Sequence, residues 1–168
     1  QSGKKRYIGD EGYLYQDQWF VISGLDSRNS DYNNWYYAGK DGYVRMDGWY
    51  KIDGQHYCFN TSGVMRTGWL TETADDDDDE YSYYYCGKDG ARVTGWQWLE
   101  IPEGWMDNSD VADYVQDHGQ YAYFYFSKSS GNKKRSSSGK KEVKVDGVTY
   151  CFDEKGIMHQ GWVKLTST

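Results

Sequence analysis

Aromatic residues recur along the chain in short runs, and each run is followed by a glycine at a nearly fixed distance. Trp35-Tyr36-Tyr37-Ala38 precedes Gly42, His56-Tyr57-Cys58-Phe59 precedes Gly63, Tyr83-Tyr84-Tyr85-Cys86 precedes Gly90, and Thr149-Tyr150-Cys151-Phe152 precedes Gly156. Each then closes on a Gly-Trp pair: Gly48-Trp49, Gly68-Trp69, Gly95-Trp96 and Gly161-Trp162. Two further copies are degenerate. Tyr7 and Ile8 precede Gly12, with Trp19 closing; Phe124-Tyr125-Phe126-Ser127 precedes Gly131 and lacks a closing Gly-Trp.

Each copy reads as a β-hairpin. The aromatic run is one strand, the Asp-Gly, Ser-Gly or Lys-Gly element is the turn, and the segment ending in Gly-Trp is the second strand. Between copies, Asp53-Gly54 and Asp146-Gly147 mark further two-residue turns. Strand alternation puts the first and third aromatic positions on one face and the second and fourth on the other. The second position is tyrosine at Tyr36, Tyr57, Tyr84, Tyr125 and Tyr150. A lone hairpin of this size is marginal in water, whereas stacked hairpins bury one another's rings. The predicted fold is therefore all-β, a solenoid of short aromatic hairpin repeats. One hairpin-repeat module is expected over residues 1–168, with repeats at about 5–19, 34–49, 50–69, 82–96, 121–140 and 144–162.

The period breaks at 97–120, read as an irregular insertion that packs as a loop on the hairpins. Within it, Asp110 to Gln116 suits one or two helical turns, with Ser109 as the cap. Cys58 and Cys151 stand where other copies hold Tyr37 and Tyr85. The three cysteines are accordingly read as packing residues rather than a disulfide framework or a metal site.

Composition sharpens this picture. The chain has 18 Tyr, 8 Trp and 5 Phe, which favours a thin layer of rings over an aliphatic core. A net charge of −7 argues against nucleic acid and against electrostatic docking on anionic membranes. No apolar run reaches membrane length. A chain opening at Gln1 is read as a processed or excised piece of an exported protein.

The stretch from Gly48-Trp49 through Asp53-Gly54, His56-Tyr57-Cys58-Phe59 and Gly63 to Gly68-Trp69 resembles the cell-wall-binding or choline-binding repeat family. Val145-Asp146-Gly147 through Gly161-Trp162 resembles it equally. The pattern is also similar to the glucan-binding repeats of glucosyltransferases and the C-terminal repeats of clostridial toxins. The resemblance implies a left-handed hairpin solenoid, a surface location and a ligand held between consecutive hairpins. In the family a choline group meets the Trp opening an aromatic run, the Trp of the closing Gly-Trp and an aromatic residue of the next hairpin. Carried over, this selects Trp35, Trp49 and Tyr57, with Tyr83 and Trp96, helped by Trp69, as a weaker second set. Cation–π attraction supplies the chemistry, since a quaternary ammonium is poorly hydrated and favours ring faces. Flat rings also stack on sugars, so a glycan is the rival ligand.

Other features carry less. The acidic run Asp75 to Glu80 lacks calcium-loop spacing and reads as a solvated loop. The basic patch Lys133-Lys134-Arg135, with Lys140-Lys141, reads as a mobile loop, with contact to wall phosphates as the alternative. His56, His118 and His159 are scattered, and no nucleophile elbow, phosphate loop or zinc cluster is present. No enzyme activity, cofactor or metal is expected. The expected role is a non-catalytic module on the surface of a Gram-positive-type bacterium, attaching its parent protein to teichoic-acid choline or a surface glucan. No nucleic-acid partner or membrane insertion is expected. The alternative is a structural spacer or self-association module without a ligand.

Overall fold

The computed structural model describes residues 3–71 and 83–167. These are built mainly from antiparallel hairpins. Strand β1 (Gln18–Leu25) pairs with β2 (Asp31–Ala38), and β3 (Gly48–Ile52) with β4 (Gln55–Phe59). The short strands β5 (Gly68–Leu70) and β6 (Tyr84–Cys86) follow. Then β7 (Gly95–Glu100) pairs with β8 (Tyr121–Phe126), and β9 (Lys141–Val145) with β10 (Val148–Phe152), which also takes β11 (Met158–His159). Contacts divide the chain into two compact units, residues 3–71 with 86–92, and residues 83–85 with 93–167.

Turn chemistry explains the hairpins. At Asp53-Gly54 and at Asp146-Gly147 both residues are left-handed, with φ of 49° and 82° in each pair. A two-residue turn that matches strand twist requires this, and aspartate tolerates the region better than most side chains. At the turn after β4, the Gly63 N–H donates to the Asn60 carbonyl at 2.9 Å. Gly63 has φ of 90°, and a Cβ there would lie 3.0 Å from the Val44 side chain of the preceding hairpin. Glycine is needed both for the bend and for the approach.

One backbone bond then joins successive hairpins. In the first unit the N–H groups of Val44, Met65 and Arg92, each just past a turn, donate to the carbonyls of Lys5, Trp35 and His56 at 2.8, 2.8 and 2.9 Å. In the second unit Lys133 donates to Tyr83 at 2.7 Å. Each acceptor opens the preceding aromatic run. Between these links the interior is thin and ring-rich. Phe20, Ala38 and Val44 pack with Tyr7, Tyr15, Ile22 and Tyr36, and Tyr125, Val145 and Phe152 pack with Val143, Tyr150 and Met158. Cys58 and Cys86 are buried thiols and Cys151 is half-buried. Burial pushes the Cys86 thiol up to about 12.

The structure departs from the sequence reading in three places. First, Phe126 bridges Lys133 as Ala38 bridges Val44 and Phe59 bridges Met65. The run at β8 therefore opens at Tyr123, not Phe124, and Tyr125 takes the third position. The cause is a longer turn: Gly131 N–H reaches back to Ser127, whereas Gly42 reaches back only to Gly39.

Second, the insertion is more ordered than a loop. Strand β7 runs on through Trp98 to Glu100, paired with Tyr123 and Tyr121. Helix α1 (Ser109–His118) is capped by Asn108, whose side chain accepts the N–H groups of Asp110 and Val111, rather than by Ser109. Buried Trp105, Val111 and Tyr114 anchor this segment.

Third, Lys133 belongs to the interior and not to a mobile basic loop. It is 7% exposed, with its Nζ 4.3 Å from the Trp105 ring centroid. Burial presses its ammonium down to about 7, against the opposing pull of Asp153. Lys140 pairs with Asp110 at 3.0 Å. The acidic run Asp75 to Glu80 lies outside the described residues. Among the described residues no helix is long and apolar enough to cross a membrane.

Two outcomes follow. Gly63→Ala is expected to destabilise the first unit by about 1–3 kcal/mol, seen as a lower urea midpoint, because a left-handed glycine site acquires a Cβ against Val44. For Lys133 the folded pKa lies below the unfolded value of 10.5. The unfolded chain then binds more protons above pH 7, so stability rises with pH. Melting temperature should climb from pH 7 to 9, and Lys133→Met should flatten that rise.

Candidate aromatic site

The β1–β2 register sets Trp19 opposite Tyr37 and Val21 opposite Trp35. These four side chains share one face of the hairpin. Trp19 packs against Tyr37 at 5.1 Å between ring centroids, and the Tyr37 hydroxyl donates to Asp17 at 2.6 Å. Burial and this carboxylate push the Tyr37 phenol up to about 12. The following hairpin completes the wall. Tyr57 of β4 meets Trp19 edge-on at 4.8 Å and 65°, with Phe59 behind it at 5.8 Å. The Met65-to-Trp35 backbone bond brings the Met65 side chain alongside.

The result is a cavity of about 340 Å³ lined by Trp19, Trp35, Tyr57, Met65, Lys88 and Asp89. Trp35 is 43% exposed, so its ring presents an open face. Asp89 is held in its turn by the Ala91 N–H, which donates to its carboxylate at 3.0 Å. Burial first, then the nearby Asp89 and Asp53 carboxylates, raise the Tyr57 phenol. Three ring faces, a thioether and one carboxylate offer favourable contacts to a poorly hydrated organic cation, and the Lys88 side chain borders the same cavity.

Of the residues selected from sequence, Trp35 and Tyr57 come together here and Trp49 does not. Trp49 sits opposite Cys58 on the next hairpin, with the Arg92 guanidinium 5.2 Å from its ring centroid. Beside it, burial, Arg92 and Lys51 lower the His56 pKa. Trp19 takes the place assigned to Trp49. The missed signal is one of phase: a closing tryptophan shares its hairpin with the aromatic run that follows it, not with the run before. Of the weaker set, Tyr83 lies in the second unit, with the Arg135 guanidinium 6.0 Å from its ring. Trp96 is also in the second unit and is flanked by Tyr125, Tyr150 and Phe152. Trp69 lies on β5 in the first unit.

A sequence model of the choline-binding repeat family matches residues 46–95. This stretch belongs to the choline-binding repeat family. The matched repeats contain Tyr57, Met65, Lys88 and Asp89, while the hairpin register adds Trp19 and Trp35 upstream. The fold over 91% of the chain is similar to that of the modular autolysin LytC from Streptococcus pneumoniae. The structure of that autolysin with a synthetic peptidoglycan ligand aligns at a TM-score of 0.54 and 24% identity. Its structure at 1.6 Å resolution aligns at 0.55 and 24%. In both, the alignment spans only 26% of the autolysin. No curated protein sequence matches the chain.

Proposed function

We propose that this chain is a single non-catalytic repeat module that holds its parent protein, outside the cell, to a bacterial wall polymer. It does so by taking choline groups of that polymer, as on teichoic acid, into the Trp19–Trp35–Tyr57–Met65 cavity. The carrying observation is that cavity: ring faces from two consecutive hairpins converge with Met65, and Asp89 supplies a carboxylate at the wall. A trimethylammonium group has no hydrogen-bond donor, so it needs no precise polar partner. It gains from ring faces and from a nearby negative charge, at about 0.5–2 kcal/mol per ring. The family of residues 46–95 supports the same reading. A spacer without a ligand would have no use for an exposed Trp35 beside a formed cavity.

The test is nuclear magnetic resonance of the indole N–H groups during titration with choline and, separately, with soluble glucan. The Trp19 and Trp35 signals should shift saturably with choline. Trp35→Ala should weaken the response seen at Trp19 by about 5–30-fold, the equivalent of about 1–2 kcal/mol. If these two signals move only with glucan, the ammonium assignment is wrong. Silence with both ligands would leave the spacer reading in its place.

A further inference from the structure

We infer that residues 102–119 form a cover over the Lys133 side chain, and that the cover opens when the Lys133 amine takes up a proton.

The cover is built as a flap on a fixed base. Where the insertion leaves β7 and returns to β8, the Ile101 N–H donates to the Gln120 carbonyl at 2.8 Å. The Gln120 side chain donates back to the Ile101 carbonyl at 3.2 Å. Pro102 follows one side of this clasp, and Gly119, with φ of 91°, precedes the other. Between them lie the single turn Glu103–Trp105 and helix α1. Trp105 and Tyr114 hold the flap down. Trp105 is 1% exposed and meets Phe124 of β8 at 6.0 Å and 70°. Tyr114 meets His159 of β11 at 5.4 Å and 80°, and Asp110 of α1 pairs with Lys140.

Lys133 is tied in place beneath it. Its N–H is spent on the link to the Tyr83 carbonyl, and its Nζ lies under the Trp105 ring and 6.0 Å from Phe124. With the backbone fixed, hydrating the amine means lifting Trp105.

The surroundings disfavour an ammonium there. Lys155 of the terminal hairpin lies 5.9 Å from the same Trp105 ring, and Arg135 follows on the Lys133 loop; both oppose a further positive charge. Asp153 favours one, but its carboxylate is shared. Oδ1 accepts the N–H groups of Lys155 and Ile157 at 3.0 and 2.9 Å, and Oδ2 lies 2.9 Å from His159 Nε2. An ammonium gains something from the indole face, though far less than the hydration it forfeits. Burial is the largest influence, and it brings the amine down to about 7 from the ordinary 10.5. Between those values the open form binds more protons than the closed one, so falling pH favours opening. Below 7 both forms are protonated and the trend levels off.

Hydrogen exchange of the whole chain at about pH 6.5 and about pH 8.5 tests this. A helix of ten residues is marginal by itself, so lifting the cover exposes the amides of α1. Their protection should be lower than that of the β7–β8 ladder at both pH values. It should also be about 25-fold lower at the more acidic one, while β3–β4 in the first unit stays nearly unchanged. Lys133→Met should abolish the pH dependence in α1. In the unaltered chain the Lys133 Cε resonance should titrate near 7. Exchange of α1 only at the level of the β7–β8 ladder would overturn the cover. Protection of α1 that ignores pH, a pH dependence that survives in Lys133→Met, or a Cε midpoint near 10.5 would overturn the link to Lys133.

Discussion

A single backbone hydrogen bond per repeat governs most of what this chain can do. It runs from the residue after each turn to the carbonyl that opens the preceding aromatic run, at 2.7–2.9 Å in all four places. Its net worth is modest, about 0.5–1.5 kcal/mol. Its consequence is positional. The donor's side chain is delivered to the same spot beside the preceding hairpin each time, whatever that side chain is. Val44, Met65, Arg92 and Lys133 are four answers to one geometric question. The turn glycines protect the arrangement, because a side chain at Gly63 or Gly90 would press on Val44 or Met65 of the hairpin before.

Rings are the natural filling for such a frame. A hairpin five residues long on each side buries too little to stand alone, and among the described residues no thick aliphatic layer lies beneath it. Each tryptophan and tyrosine offers one face to the interior and leaves another surface or edge free. Trp19 shows the dual use: it packs on Tyr37 and Phe59 while lining the cavity with Trp35. On the proposed reading structure and recognition draw on the same residues, so loss of such a ring would cost packing as well as ligand contact. Trp35 is the exception. Its exposed ring makes it a cleaner probe of recognition.

The hairpin character of the chain was legible because Asp-Gly and aromatic-run spacing are local signals with local causes. Cys58 fell into register for the same reason. The site was legible only in part, because closing tryptophans recur evenly and spacing alone does not say which neighbouring run shares a hairpin with each. Trp49 and Trp19 are equivalent in sequence; pairing of β1 with β2 separates them. The β8 register was lost to one extra turn residue at Ser127–Gly131, since a one-residue slip moves every side chain to the other face. Lys133 looked like a solvated basic patch because its cover, Trp105, comes from an insertion with no counterpart in the repeat. Trp98 was invisible for a related reason: only the pairing of β7 with β8 shows that it faces Tyr123.

The aromatic faces also pose a problem that the post-turn residue resolves. An exposed cluster of rings is an apolar patch, and apolar patches are liabilities unless something covers them. A guanidinium is a good permanent cover: it stacks on an indole, keeps its charge at any physiological pH and still reaches water at its edge. Arg92 over Trp49 is such a cover. At Trp35 the chain leaves the face open and places a methionine beside it, a side chain that adapts its shape to whatever enters. The same backbone position thus holds a cation over a ring at Arg92 and a thioether beside an open ring at Met65. On the ammonium reading, what matters is which ring faces stay open, as at Trp35, more than how many aromatic residues the chain carries.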